Sequence, residues 1–261
     1  MTARLARRNY GRGHSYNLDG DRVDGVTTIL NALPKQLTQW ASDAAANYAV
    51  EHWSELAEEP LTKRLDRIRY AHRDLVSAAA LRGTRIHGYG ERLVGGEAVE
   101  IPDEYRGPAE AYARFLDEWQ IEPIAVETPL ASTRHRYAGT ADLWATIGVR
   151  DDARALVDLK TGKGVYESTV LQLAAYRYSD LWQPDGPDSE VERGEDDDVD
   201  LVYVAHVLPD AVRMLPVIAG PAEFRAFLYV QQTAQWLARH GFKGDEPLIG
   251  DAELASDRVA S

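Results

Sequence analysis

Apolar residues change their spacing partway along this 261-residue chain. In the first part they recur every three or four positions, the period of one helix face. Such spacing predicts helices from Lys35 to about Trp53 (through Leu37, Trp40, Ala44, Tyr48 and His52), from Leu61 to Leu93 with a break near Gly83, and from Asp103 to Trp119 just after Pro102. Ahead of them, His14 to Val23 predicts a short hairpin turning at Asp19, Gly20 and Asp21. After Trp119 the runs become short and alternating. Strands are expected at Ile124–Leu130, Tyr137–Ile147 and Ala153–Leu159, the first two as a hairpin. A helix is then predicted from Ser168 to about Trp182, a strand pair (Val199–Leu208, Ala211–Ile218) around Pro209 and Asp210, and a last helix from Pro221 to about His240. This order predicts one mixed α/β domain. Residues 1–120 form a mainly helical N-terminal part, 121–243 an α/β core and 244–261 a loosely held tail.

Composition narrows the setting. Apolar residues make up 44%, ample for a buried core. No apolar run reaches the roughly 18 residues a membrane helix needs, and the arginine-bearing start lacks the apolar stretch of a secretory signal. The chain has no cysteine, which excludes disulfides, thiolate zinc sites and cysteine-held iron–sulfur clusters. A cytoplasmic protein without membrane association is expected. The net charge of −13 argues against a nucleic-acid partner at first sight. Asp185 to Asp200, however, is densely acidic, a stretch that predicts a solvated loop. Arginines gather elsewhere, at Arg4, Arg7, Arg8 and Arg12, at Arg64, Arg67, Arg69 and Arg73, and at Arg82, Arg85, Arg134 and Arg136. A basic groove on an acidic molecule is compatible with this.

The chemistry-bearing stretch is Tyr137 to Lys160. Two predicted neighbouring strands each carry a carboxylate, Asp142 and Asp158, and Lys160 follows Asp158 by two residues, on the same strand face. Paired carboxylates suit a hard divalent cation. An adjacent ammonium can position or deprotonate water, or balance a phosphate. Glu127 lies on the preceding strand, His87 late in a helical stretch, and Gln172 and Tyr176 share a helix face at i, i+4. Singly, each has an ordinary reading: a surface ion pair, a turn aspartate, a satisfied helix histidine, helix surface and core. Gly162-Lys163-Gly164 lacks the spacing of a phosphate loop, and Gly88-Tyr89-Gly90 lacks that of a dinucleotide site. Trp40, Trp53, Trp119 and Trp236 fall in helical patterns as packing residues, and Arg64 to Arg73 as a solvated face.

Taken together, Gly139-Thr-Ala-Asp142, Asp158-Leu-Lys160-Thr-Gly and Gln172-Leu-Ala-Ala-Tyr176 resemble the PD-(D/E)XK nuclease superfamily. Within it they look like the RecB-like branch with phage-type exonucleases, in which a histidine on an upstream helix stands as His87 does here. Gly25 to Leu30 and Leu37 to Trp40 resemble the lead-in of phage members. The resemblance implies the mixed central sheet of a restriction-endonuclease-like core with a helical N-terminal half. It implies metal ligation by His87, Asp142, Asp158 and the backbone carbonyl of Leu159, with Lys160 as the catalytic lysine. Gln172 and Tyr176 would orient the site or contact phosphate, and Glu127 would be the acidic position of the first core strand. Mg²⁺ or Mn²⁺ is the cofactor implied, since an ion of this kind makes water a better nucleophile and offsets charge on the phosphate. Lys160 acts either as a base or through its charge. Relatives with iron–sulfur cysteines are set apart by the absence of cysteine here.

The activity implied is an exonuclease on linear DNA ends, double- or single-stranded, in phage or bacterial recombination and repair. A recombination or annealing protein is the implied partner, and an oligomer is compatible. A non-catalytic DNA-end binding module, a structure-selective endonuclease and an RNA substrate remain open alternatives.

Overall fold

The computed structural model describes residues 4–10, 13–34, 38–162, 164–184, 191–192 and 199–240. The chain opens with three strands, β1 (Leu5–Tyr10), β2 (Gly13–Leu18) and β3 (Asp21–Gly25). β2 and β3 are the expected hairpin. Asp19 and Gly20 both have positive φ (55° and 89°) at its turn, which an Asp-Gly pair adopts cheaply. β1 was not legible, because Arg7 and Arg8 break its apolar pattern, and only pairing with β2 (Leu5 opposite Leu18) makes it a strand.

Five helices follow: α1 (Val26–Leu30), α2 (Thr38–Glu51), α3 (Trp53–Ala57), α4 (Leu61–Val94) and α5 (Asp103–Trp119). α4 runs unbroken through Gly83, contrary to the break expected there. A single glycine costs a helix only about 1 kcal/mol, and here it permits a close approach, its would-be Cβ lying 3.1 Å from Thr161 Oγ1. Next come β4 (Ile121–Ser132), β5 (Tyr137–Ile147), β6 (Ala153–Lys160) and α6 (Glu167–Arg177). α6 stops short of the predicted Trp182. Leu181–Trp182 instead forms β7, paired with Leu130 and Ala131 of β4. β8 (Val191–Glu192), β9 (Leu201–Val207), β10 (Val212–Pro216) and α7 (Pro221–His240) complete the described chain. The tail from 244 and most of the acidic stretch lie outside the described residues.

Among the described residues ten strands join in one mixed sheet, so the fold is mixed α/β. β4, β5 and β6 form an antiparallel meander. After α6 and the short β7 and β8 the chain returns as β9, which lies parallel to β6, and β10 closes antiparallel to β9. Side chains alternate across β6. Leu156 joins a core with α1, α6 and α7, while Ala155, Val157 and Leu159 join one with α4 and α5. A third cluster, Leu5, Tyr16, Leu18 and Val23 with Ala131, Ala138 and Leu181, fastens the N-terminal strands to the sheet. Trp144 and Trp182 are the buried tryptophans. Trp53 and Trp236, expected to pack, are 72% and 52% exposed. No helix among the described residues is long and apolar enough to cross a membrane.

Candidate metal centre

The centre sits where the sheet parts. One edge of β5 pairs with β4 over nearly its whole length, with gaps opposite Ile124 and Glu127. On its other edge β3 pairs with Tyr137 and Ala138, and β6 pairs with Leu143 to Ile147. Between these two ladders lies Gly139-Thr140-Ala141-Asp142, the motif itself, paired on that edge with neither strand. Local sequence explains what fills the gap. Gly139 has no side chain, and a Cβ there would collide with the Tyr176 ring from α6. Thr140 Oγ1 is hydrogen-bonded to the Tyr16 hydroxyl of β2 at 2.8 Å. Asp142 Oδ2 accepts the backbone N–H of Leu159 at 2.7 Å, so a side chain spans the seam where the ladder stops.

The registers align three carboxylates across three strands. Extending the pairs Val126–Leu143 and Leu143–Val157 by one step sets Glu127 and Asp158 opposite Asp142 from the two sides, although neither is a ladder pair. Glu127 breaks the ladder because it is left-handed (φ 47°) inside β4. Non-glycine residues hold that conformation at a cost, and such strain gathers at functional sites.

His87 reaches the seam from α4. Gly90, one turn on, lets the helix lie close, since a Cβ there would stand 3.2 Å from Tyr112 and 3.3 Å from Leu159. His87, Glu127 and Asp142 each present a ligand atom, all within 4.8 Å of one another. His87 Nδ1 lies 3.8 Å from Asp142 Oδ2. Around an octahedral ion with bonds of about 2.1 Å, ligand atoms are spaced about 3.0 Å side by side and about 4.2 Å across. To take up such an ion at least two of the three spacings must close towards 3.0 Å, a shift of about 0.8 Å for the His87–Asp142 pair. The small cleft at the triad, with room for about one water-sized particle at 10 Å³, is also lined by Tyr112, Val126, Leu143 and Leu159. One imidazole and two carboxylates suit Mg²⁺ or Mn²⁺.

Asp158 and Lys160 stand beside this group, on the α6 side of the sheet. Asp158 is 1% exposed. Its Oδ2 touches the Lys160 ammonium and its Oδ1 accepts a 3.1 Å hydrogen bond from Gln172 Nε2. Gln172 also donates to the Tyr176 hydroxyl at 3.1 Å. Burial, and then the charge of Asp142, push the Asp158 carboxyl up to about 7, while Lys160 pulls it down. Burial likewise drives the Tyr176 hydroxyl far above its ordinary range, helped by Tyr16 and both aspartates. Tyr176 is therefore a neutral hydroxyl at any working pH. Of the residues singled out in the sequence, His87, Glu127 and Asp142 meet as one group. Asp158, Lys160, Gln172 and Tyr176 meet as a second, and Leu159 joins both.

Three neighbours escaped the sequence. Tyr112, buried on α5, lines the triad. Arg7 and Tyr16 arrive on the first hairpin, and Arg7 Nη1 lies 3.8 Å from Glu127 Oε2. Helical periodicity marks Tyr112 as a core position, and no local pattern ties β1 to a strand more than a hundred residues later. No protein-family model matches the chain, and no curated protein is significantly similar to it in sequence.

Proposed function

We propose that this chain is a divalent-metal-dependent nuclease that hydrolyses DNA phosphodiester bonds, acting as an exonuclease on linear ends. The observation that carries the reading is the convergence of His87, Glu127 and Asp142 beside the buried Asp158–Lys160 pair. The mixed central sheet is also compatible with the restriction-endonuclease-like core that the resemblance implies.

The bound ion would supply Lewis-acid polarisation of the phosphate and a more acidic water. The chain's own residues do the rest. Asp142 fixes the position of the ion because its carboxylate is held by the Leu159 amide. Asp158 keeps Lys160 at the seam, where the ammonium faces the charge that builds on phosphate oxygens. Gln172 fixes the Asp158 carboxylate and Tyr176 fills the space over Gly139, so neither half of the site can slide. The setting proposed with this activity is phage or bacterial recombination in the cytoplasm, alongside an annealing protein.

End-labelled linear DNA with Mg²⁺ or Mn²⁺ tests the reading. The wild type is expected to release label, and Asp142→Ala and Lys160→Ala to lose at least about a hundredfold in rate. Equal rates for the variants would remove the assigned site. Nicking of closed circular DNA would favour an endonuclease, and DNA retention on a gel without cleavage would favour an end-binding module.

A further inference from the structure

We infer that Arg7, carried by the N-terminal hairpin, is a substrate-binding residue that receives a DNA phosphate beside His87, Glu127 and Asp142; the inference rests on the nuclease reading. The hairpin is not a loose appendage. Leu5 and Leu18 are buried, and the Leu5 carbonyl accepts a 2.9 Å hydrogen bond from the buried Gln183 amide. Arg136 donates to the Leu18 carbonyl at 3.0 Å and to Asp19 at 3.1 Å. Tyr16, opposite Arg7 in the β1–β2 register, is bonded to Thr140, two residues from Asp142. Arg7 is thus delivered to the site by a fixed scaffold.

Its placement suits an incoming anion. At 3.8 Å from Glu127 Oε2, Nη1 is close enough for charge attraction but too far for an N–H···O bond. Arg7 Nε is buried with no hydrogen-bond partner among the described residues. A buried, idle guanidinium donor is costly, and an arginine's planar fork is completed best by a two-oxygen anion. Charge favours the same occupant. Two carboxylates meet here, a divalent ion would balance them, and the phosphate then adds negative charge. Lys160 is tied to Asp158, so among the described residues Arg7 adds a second cation to meet that charge.

The full-length chain provides the test, as wild type, Arg7→Gln, Arg7→Lys and Asp142→Ala. Steady-state cleavage of end-labelled linear DNA gives KM and kcat, and calorimetric titration with Mn²⁺ alone gives ion affinity. Arg7→Gln is expected to raise KM about tenfold or more with Mn²⁺ affinity within twofold of wild type. Arg7→Lys should recover part of that loss. Unchanged KM and kcat in Arg7→Gln, with Asp142→Ala inactive, would overturn the inference and leave the nuclease reading standing. A KM loss matched by an equal loss of Mn²⁺ affinity would also overturn it, making Arg7 only a counter-ion of Glu127. A wild type that leaves DNA intact would remove both.

Discussion

At the scale of single residues, the burial of Asp158 ties the stability of the fold to pH. Burial and the charge of Asp142 raise its carboxyl, and Lys160 pulls it part of the way back. Its ordinary value is 3.8, and in the metal-free fold it is raised to about 7. Between those values the folded chain holds a proton that the unfolded chain has released. Acid therefore favours the fold through this group. Its contribution is fully present below about pH 4, falls as pH rises to about 7, and is lost above that, with a slope of at most about 1.4 kcal/mol per pH unit. Melting in chelator-treated buffers from pH 4 to 8 should show wild type losing stability relative to Asp158→Asn across that window. A difference between the two that is flat with pH would contradict the assignment.

At the scale of elements, the legibility of the chain followed how local its causes are. β5 and α7 were read to the residue, because alternation bounded by turn residues and a helix opened by Pro221 are decided within a dozen positions. The end of α6 was misjudged, because Leu181 and Trp182 continue an apolar pattern and only their pairing with Leu130 and Ala131 turns them into strand. β1 has the same cause. The site followed the same rule. Asp142, Asp158 and Lys160 were visible as spacing, and His87 and Gln172 as a resemblance. The left-handed Glu127 and the nearness of Arg7 depend on contacts made across the whole chain. The fixing of β1 can be tested apart from the site. Gln183→Leu would leave the Leu5 carbonyl short of a buried donor, at a cost of about 1–3 kcal/mol. A lower Tm, with Mn²⁺ affinity unchanged, is expected. A Tm equal to wild type would show that the hairpin does not depend on this bond.

At the scale of the whole molecule, the ligands come from separate parts of the fold. His87 is on a long helix, and Glu127 and Asp142 are on the neighbouring strands β4 and β5. An ion held by all three binds the native chain far better than the unfolded one, so it must stabilise the fold by mass action, by about 2.7 kcal/mol at a hundredfold excess over Kd. Wild type should melt several degrees higher with Mn²⁺ than without, and His87→Ala and Asp142→Ala should lose most of that rise. An equal rise in all three proteins would place the ion elsewhere.

The hydrogen bond from the Leu159 amide to Asp142 has one more effect. A carboxylate on an open surface samples several rotamers and must surrender that freedom, about half to one kcal/mol, when it captures a cation. This one surrendered it during folding. An ion bound here would meet a ligand that is already immobilised, so the entropy of its capture would have been settled when strands β5 and β6 came together.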